Sequence, residues 1–493
     1  MSRYIGSIDQ GTTSTRFILF NEDCQIVNMK QMEHTQYFPS PGWVEHDVEE
    51  IWANTEKLIQ DTIREANIEA KDILSIGITN QRETTVAFNP KTGEVYHKAL
   101  VWQDLRTSDI VEELETKMEK EELNEITGLL FSSYFSATKI MWLLKNVEGL
   151  REKANNGDCI FGTIDTYLTY KLTGTIITDV TNASRYMLMN IKTLEWDDRL
   201  LTLCNIPKQA LPKIVPSIGE IYGHYNIGGV QVPICGILGD QQAALFGQTC
   251  LAKGEAKCTY GTGCFMLVNT GKKVKLSKRG LLSTVAYQIK GKKPVYALEG
   301  SVAIAGSLVQ WARDNLHLVN SAQELDKLAS EVEDNGGVYI VPAFSGLYAP
   351  YWDSSARGII TGLTAYVNNK HIARAILEAI AFQAYDIFKV IEEESNIKLT
   401  ELRVDGGLTN SRPLMEFQAN IIDIDVVRPL INETTALGAA FASGITIGLF
   451  KEKKEIKDKW VLKNRWKSNM KDEVRKQQLK VWTKAIETSK NWV

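Results

Sequence analysis

The sequence predicts an α/β protein that consists of two related domains. Its 493 residues are too many for one ordinary hydrophobic core. Apolar, β-branched segments at residues 4–8 and 17–20 flank a polar turn, which is typical of a β-hairpin. Residues 256–269 repeat the order of strand, Gly/Thr-rich turn and strand. We therefore expect two halves of one plan, residues 1–250 and 251–493, that face one ligand site.

The composition excludes several classes of protein. Hydrophobic residues make up 44% and charged residues 24% of the chain, which is average for a globular protein. A net charge of -4 argues against general affinity for nucleic acid. The seven cysteines are odd in number and lack CxxC spacing, so they fit a reducing compartment rather than a disulfide framework or zinc site. Basic residues outnumber acidic ones from residue 451 onward, which favours a solvated helix over a partner surface.

No segment of the sequence predicts a membrane span. The most apolar stretch, residues 436–450, is shorter than the roughly 18–20 residues that cross a bilayer. Ser443, Gly444 and Thr446 interrupt it, so it indicates a buried helix. The first strand begins almost at Met1, which leaves no room for a signal peptide. We expect a soluble, cytoplasmic protein.

The turn of the first hairpin carries the groups that bind phosphate. It holds one glycine and four hydroxyl side chains, those of Thr12, Thr13, Ser14 and Thr15. Backbone N–H groups and hydroxyls together suit phosphate oxygens. Asp9 is placed to hold a metal ion, and Arg16 adds positive charge. A plain polar turn is the alternative, but the second copy at residues 257–263 favours two phosphate turns that face one nucleotide.

The elements after the first hairpin indicate how the first domain is built. Residues 25–30 predict a third strand, and Asp47 with Glu50 predicts a capping box at the start of a helix. Residues 73–79 predict a strand whose carboxyl end carries residues 80–83, and ligands gather at that end of open α/β sheets. Three strands, a helix and another strand are typical of a ribonuclease-H-like fold, which many ATP-using kinases share.

The last part of the first half places a carboxylate between a strand and a helix. Residues 207–233 predict a loop-rich region, and residues 236–239 predict a short strand before a helix from Ala243. Asp240 lies between them and, from spacing alone, is either an N-cap of that helix or a catalytic base. We expect the domain boundary at residues 250–254.

The second half repeats the alternation of strands and helices. We predict strands at residues 294–298, 338–342 and 402–405, helices from Ser301 and at residues 371–394, and a long loop at residues 343–353. Gly406 and Gly407 follow the last of these strands, where the backbone can approach a ligand closely. Neither a Walker A sequence nor GxGxxG occurs, which excludes the two commonest nucleotide-binding folds.

Several segments resemble the FGGY family of carbohydrate kinases, and within it the members that act on glycerol. These segments are residues 7–16, 41–47, 77–84, 179–185, 239–247, 259–266, 341–352, 403–407 and 433–440. The resemblance implies two ribonuclease-H-like domains of the actin and hexokinase type, with the active site in the cleft between them. It also implies that ATP and Mg²⁺ serve to phosphorylate glycerol, and that the protein is a homodimer or homotetramer.

The resemblance gives each candidate site residue a role. Asp240 would be the general base and, with Asp9, a ligand of Mg²⁺. Partners of the glycerol molecule would be Arg82, Glu83, Trp102, Tyr134, Asp240, Gln241 and Phe265. Contacts to ATP would come from Thr12, Thr13, Ser14, Arg16, Thr262, Gly306, Gln310, Gly407 and Ser411. Family members commonly have Asn at the last of these positions, so the neighbouring Asn410 is an alternative contact.

Two other functions stay open at this stage. One is an FGGY kinase that acts on a pentulose or a sugar acid, and the other is a non-enzymatic, actin-like ATPase. The combination of Arg82, Glu83 and Trp102 resembles a glycerol pocket rather than a sugar pocket. An actin-like ATPase needs no polyol pocket and would leave Tyr134 unexplained as well. ATP turnover with and without glycerol discriminates among the three.

Overall fold

The first half of the chain contains fifteen strands and nine α-helices in a computed structural model that describes residues 3–344 and 346–493. The strands are β1 (Tyr4–Gln10), β2 (Ser14–Asn21), β3 (Ile26–Glu33), β4 (Gln36–Tyr37), β5 (Glu45–His46), β6 (Ile73–Asn80), β7 (Thr85–Phe88), β8 (Val95–Leu100), β9 (Ile160–Thr163), β10 (Ile177–Asp179), β11 (Met189–Asn190), β12 (Glu195–Trp196), β13 (Lys213–Val215), β14 (Ile221–Ile227) and β15 (Val230–Gly239). The helices are α1 (Val48–Glu65), α2 (Ser108–Glu115), α3 (Lys120–Thr127), α4 (Ser136–Asn146), α5 (Leu150–Asn155), α6 (Ile164–Thr173), α7 (Val180–Ala183), α8 (Asp198–Cys204) and α9 (Asp240–Gly247).

The second half adds nine strands and seven α-helices among the described residues. Its strands are β16 (Ala256–Tyr260), β17 (Cys264–Gly271), β18 (Leu282–Tyr287), β19 (Val295–Val302), β20 (Tyr339–Val341), β21 (Ile359–Thr361), β22 (Glu401–Asp405), β23 (Asp425–Pro429) and β24 (Leu462–Trp466). Its helices are α10 (Gly306–Asp314), α11 (Ala322–Ser330), α12 (Asn369–Ser395), α13 (Arg412–Ile422), α14 (Thr434–Thr446), α15 (Lys453–Asp458) and α16 (Asp472–Thr488). Short 3₁₀ turns occur at Ala70–Asp72, Lys208–Ala210 and Gly407–Asn410.

The two large sheets share one plan. In the first, β1 pairs antiparallel with β2 and parallel with β6, and β6 pairs parallel with β15. In the second, β16 pairs antiparallel with β17 and parallel with β22, and β22 pairs parallel with β23. The third strand of each unit, β3 or β19, lies antiparallel beside the second. This repeat confirms the expectation of two ribonuclease-H-like halves.

The halves are joined by two helices that cross each other closely. Helix α14 belongs to the second half but packs on β1, β6 and β15 of the first sheet. Helix α9 follows β15 of the first half and contacts β16, β17 and β18 of the second sheet. Where α9 and α14 cross, a Cβ on Gly247 would lie 1.9 Å from the carbonyl oxygen of Thr434, and one on Gly438 would lie 1.9 Å from that of Ala243. Only glycine at both positions allows this approach.

A smaller sheet in the first half supports two aromatic side chains of the predicted site. It has five strands in the order β4-β5-β8-β7-β9. Trp102 follows β8, and Tyr134 precedes α4. Buried Arg106 fixes this region because its guanidinium lies 3.9 Å from the ring centre of Trp43 and 2.8 Å from the carboxylate of Asp104.

Three local predictions were wrong. Residues 207–233 are not loop-rich, since β13, β14 and the start of β15 lie there. No helix begins at Ser301, because β19 continues to Val302 and α10 begins only at Gly306. Asp47 does cap α1, but Glu50 does not complete a capping box, since its carboxylate accepts hydrogen bonds from Thr35 instead.

The C-terminal region and the apolar stretch are helical as predicted. Residues 436–450 are largely covered by α14, and no helix in the described part of the chain is long and apolar enough to cross a membrane. Helix α16 is only partly solvated, because Trp482 is buried and stacks on Phe382 with the ring centres 5.0 Å apart. Ser345, within the loop predicted at residues 343–353, lies outside the described residues.

Candidate active site

Arg82 and Glu83 lie in a buried turn at the carboxyl end of β6. The backbone N–H of Gln81 donates to the carbonyl of Gln10, which ties this turn to the end of β1. Glu83 has a φ of 59°, a left-handed conformation that an L-residue adopts at an energetic cost and that is often found at functional sites. The side chains of Arg82 and Glu83 are 2% and 1% exposed. They are therefore not an ordinary surface ion pair.

Four charged residues from both halves meet at this turn, and we call Arg82, Glu83, Arg185 and Glu299 the charge cluster. Nη1 and Nη2 of Arg82 each lie 2.7 Å from an oxygen of Glu299 on β19. Nε of Arg185 lies 2.5 Å from Glu83, and its Nη2 lies 3.5 Å from Glu299. Such bidentate, charge-assisted pairs hold both partners in one orientation. The charge cluster thus fixes the end of β6 against β19.

The two carboxylates of the charge cluster differ in pKa. Burial raises the pKa of Glu83, and Arg185 and Arg82 offset this only in part. Burial also favours the neutral form of Glu299, but the charges of Arg185 and Arg82 outweigh it and lower the pKa of Glu299 to about 2. Glu299 is therefore a fixed negative charge at neutral pH.

Asp240 is the first residue of α9 and faces the charge cluster. One carboxylate oxygen lies 3.1 Å from Nε of Arg82 and accepts the backbone N–H of Gln241 at 2.7 Å. Because Gly239 is the N-cap residue, Asp240 does not have the capping role considered from the sequence. The side chain of Asp240 is 32% exposed. Arg82 and Gln241 therefore hold its carboxylate on one side, and the other side is accessible to a substrate.

Aromatic side chains line the site beside the charge cluster. The rings of Trp102 and Tyr134 lie edge to face with their centres 5.5 Å apart. Tyr134 also lies over the guanidinium of Arg185, at 5.6 Å. Nζ of Lys139 holds the loop before α4, since it donates to the carbonyls of Ser133 and Tyr134. This arrangement gives an apolar wall beside groups that can donate to and accept from hydroxyls.

The turn of the first hairpin, predicted to bind phosphate, contacts that wall directly. Nε1 of Trp102 donates to the hydroxyl of Thr12 at 3.0 Å. The turn comprises only three residues between β1 and β2, so Ser14 belongs to the strand, and Thr13 is exposed. The backbone N–H of Gly11 closes the turn by donating to the carbonyl of Ser14. Arg16 lies one third exposed beside it and pairs with Glu433, from the second half, at 2.8 Å.

The carboxylates at the end of β1 and the start of α9 suit Mg²⁺. Among the described residues Asp9 accepts no hydrogen bond, and Nη1 of Arg16 lies 3.8 Å away. Burial raises the pKa of Asp9 to about 6, with Arg16 opposing the shift and Asp240 adding to it. No three His, Cys, Asp or Glu side chains converge as a complete metal site within residues 3–344 and 346–493. A pair of carboxylates without further protein ligands fits an ion that keeps water and takes phosphate oxygens.

The turn of the second hairpin, also predicted to bind phosphate, opens into a cavity in the second half. The cavity has a volume of about 280 Å³, and its lining includes Thr262, Gly306, Gln310 and Gly407. All four were predicted as nucleotide contacts. The backbone N–H groups of Gly306 and Ser307 donate to the carbonyls of Gly261 and Thr262, so α10 begins on this turn. A Cβ on Gly306 would lie 2.6 Å from the carbonyl oxygen of Gly261, which explains the glycine.

Two predicted residues lie apart from these groups. Ser411 is the N-cap of α13, and its hydroxyl donates to the carboxylate of Asp326 at 2.6 Å. Asn410 donates to the carbonyl of Gly407 and accepts from Arg428. Neither Ser411 nor Asn410 lines the cavity, so a contact with the nucleotide stays a prediction for both.

Phe265, predicted to contact glycerol, is the second residue of β17 and lies partly buried beside the turn of the second hairpin.

Sequence reasoning missed Arg185, Glu299 and Lys257 as parts of the site. Nζ of Lys257 donates to the side chain of Gln241 at 2.5 Å, and burial lowers its pKa. Glu299 and Lys257 are single charged residues in strands that are otherwise apolar or small. A lone charge within a buried strand is the signal that could have identified them, because buried charges need partners.

The comparisons with known proteins agree with this geometry. Residues 4–247 match the family model of the FGGY family of carbohydrate kinases, N-terminal domain. Residues 256–447 match the model of the C-terminal domain of the same family. The chain is 51% identical to a glycerol kinase of Methylobacterium radiotolerans and 52% identical to one of Brucella anthropi, and each alignment covers 100% of this chain and at least 99% of the relative.

Solved structures match over almost the whole chain. The crystal structure of Plasmodium falciparum glycerol kinase with ADP has a TM-score of 0.93 at 38% identity and covers 99% of this chain and 98% of that one. A ligand-bound xylulose kinase from Lactobacillus acidophilus shares the fold with a TM-score of 0.89 at 23% identity, covering 99% and 98%. The chain therefore belongs to the FGGY family of carbohydrate kinases.

Proposed function

We propose that the protein transfers the terminal phosphoryl group of ATP to glycerol, which yields sn-glycerol 3-phosphate and ADP. The observation that carries this proposal is the buried pair of Arg82 and Glu83 next to Asp240, with Trp102 and Tyr134 as an aromatic wall. This site offers groups that can donate hydrogen bonds to hydroxyls and groups that can accept them. Relatives that are about half identical over their full length are named glycerol kinase.

The polar groups would hold two hydroxyls of glycerol and leave the third to react. One oxygen of Glu83 accepts from Arg185, so its second oxygen is available to accept a hydroxyl proton. Nη2 of Arg82 bonds Glu299 through one N–H, which leaves its other N–H to donate. Asp240 would take the proton from the terminal hydroxyl as that oxygen attacks the γ-phosphorus and the bond to ADP breaks.

ATP would lie between the two phosphate turns. Thr12, Thr13 and Ser14 from the first half and Thr262 from the second would contact its phosphates, while the cavity beside Gly306 would take the adenosine. Asp9 and Asp240 would hold Mg²⁺, which supplies positive charge to neutralise the phosphate oxygens.

Substrate preference tests the proposal. We expect kcat/KM for glycerol to exceed that for xylulose, ribulose or gluconate at least ~1,000-fold, because a site built on hydrogen bonds leaves buried groups unpaired with the wrong substrate. A coupled ADP-release assay with each substrate at several concentrations measures the ratios. A higher value for a pentulose would contradict the proposal and favour a sugar kinase.

ATP hydrolysis without glycerol should be at least ~100-fold slower than phosphorylation of glycerol. The two phosphate turns lie on different halves, so both reach ATP only in a closed cleft that excludes water. The bond from Trp102 to Thr12 and the pair of Arg82 with Glu299 join the polyol pocket to elements of both halves. Phosphate release with and without glycerol measures the coupling, and equal rates would favour an actin-like ATPase.

Assembly and location follow from family membership as predictions. We propose a homodimer or homotetramer in the cytoplasm. Light scattering on the purified protein measures the assembly, and a monomer at micromolar concentration would contradict it.

A further inference from the structure

We propose that Glu299 is a positioning residue for phosphoryl transfer, because it fixes Arg82 so that one N–H on Nη2 faces glycerol while Nε lies in ion-pair contact with Asp240. This inference rests on the proposed function and goes beyond it by giving the second half a direct part in organising the polyol site.

The geometry leaves Arg82 with one orientation. Both terminal nitrogens of its guanidinium lie 2.7 Å from the carboxylate of Glu299. Nη1 also lies 3.2 Å from the side-chain oxygen of Gln242, and Nε lies 3.1 Å from Asp240. Three of the five N–H donors are thereby hydrogen-bonded to Glu299 and Gln242, Nε lies within ion-pair distance of Asp240, and one donor on Nη2 remains. Glu299 occupies the two terminal nitrogens, so it decides where that remaining donor points.

The surroundings of Glu299 suit this role. It lies in the interior of β19, paired with Leu267 and Leu282 of the neighbouring strands, and its side chain is 1% exposed. Arg185 is a second cation, 3.5 Å away, so the charge of Glu299 is balanced without solvent. A buried carboxylate held by strands on both sides is a rigid support, and rigid supports are what active-site geometry requires.

Loss of the negative charge at residue 299 would release Arg82. Its terminal nitrogens could then turn to the other nearby carboxylates, Glu83 at 4.0 Å and Asp240 at 3.1 Å from Nε. Glu83 would lose part of its capacity to accept from glycerol, and Asp240 part of its capacity to accept a proton. The predicted nucleotide contacts of the second half, which are Thr262, Gly306, Gln310 and Gly407, make no hydrogen bond or ion pair with Glu299 among the described residues, so we expect them to keep their geometry.

Glu299→Gln in the full-length protein tests this inference. We expect kcat/KM for glycerol to fall ~10–100-fold, as misplaced catalytic groups typically cause, while KM for ATP stays within ~2-fold. A merely structural role would loosen the second half and raise KM for ATP as well. Glu299→Asp keeps the charge but withdraws it by one methylene, so we expect an intermediate loss and a folded protein.

Glu378→Gln is the matched control. Glu378 is also a buried carboxylate of the second half, 2.8 Å from both Arg374 and Asn335, but it contacts no residue of the site. We expect its kcat/KM to stay within ~2-fold of wild type. An equal loss in this variant would overturn the inference, because the loss of any buried carboxylate in this half would then have the same effect.

A double-mutant cycle separates action through Arg82 from an independent effect. In the Arg82→Gln background, Glu299→Gln should lower kcat/KM by less than ~3-fold, since the residue on which it acts is gone. Additive losses would overturn the inference. Turnover of glycerol by the wild type checks the proposed function separately: an inactive wild type contradicts that function, whereas an active wild type with an unaffected Glu299→Gln variant contradicts only the positioning role.

Discussion

Replacement of Asp240 by Asn lowers kcat for glycerol at least ~100-fold and leaves glycerol bound, if this carboxylate is the general base. The amide keeps the shape of the side chain and an oxygen for Arg82, which lies 3.1 Å away, but it cannot accept the proton. Steady-state kinetics give kcat, and calorimetric titration gives the affinity for glycerol.

Asp165→Asn is a suitable control for this prediction. Asp165 is also in the first half but is fully buried, where its carboxylate accepts hydrogen bonds from Thr163 and Thr178. We expect its kcat to stay within ~3-fold of wild type, since it lies outside the site. Near-normal kcat in Asp240→Asn would exclude the residue as the base, and loss of glycerol affinity would show that it acts in binding.

Gly438→Ala has the largest expected effect on stability. The added Cβ would lie 1.9 Å from the carbonyl oxygen of Ala243, so α9 and α14 must move apart. Overpacking of this kind costs about 3 kcal/mol or more when backbone is in the way. We expect a lower unfolding temperature because the two helices pack less well. We also expect a lower kcat, because Asp240 is the first residue of α9 and moves with this helix. Calorimetry and steady-state kinetics measure the two effects.

Gly448→Ala distinguishes the helix crossing from a general effect of replacing glycine near α14. A Cβ on Gly448 meets no atom within 4 Å, although its φ of +77° is unfavourable for alanine. We expect a loss of only about 1 kcal/mol from this backbone strain. Equal losses of stability in the two variants would contradict the role of the close crossing.

The repeat of the hairpins could be predicted because it rests on a local pattern, and most residues of the candidate site were named from the family resemblance. Thr262, the pair Gly306 and Gln310 on α10, and Gly407 come from three separate parts of the sequence, and all four line one cavity. The orientation of Arg82 could not be predicted. Its partner Glu299 lies 217 positions away in sequence, and only the pairing of the two halves brings them together. A local pattern contains no information on such a contact.

The errors in secondary structure have similar causes. The prolines at residues 207–233 favour loops, but β13 pairs with β10, β15 pairs with β6, and β14 pairs with β15 in a hairpin, so strand pairing outweighs local preference. Ser301 lies at the end of a short apolar segment whose pattern is compatible with either a strand or a helix. The segment forms a strand because β19 pairs with β17 through Ser301 and Val302.

The exchange of helices between the halves has a consequence for synthesis on the ribosome. The first sheet is complete once β15 has been made, but the helix that covers one of its faces, α14, is translated almost two hundred residues later. Ser7 and Ser75 on that face bond to α14, so they stay without these partners until then. At ordinary elongation rates the wait is roughly 10–40 s. During that time the nascent chain presents an uncovered apolar sheet, which is the kind of surface that chaperones shield.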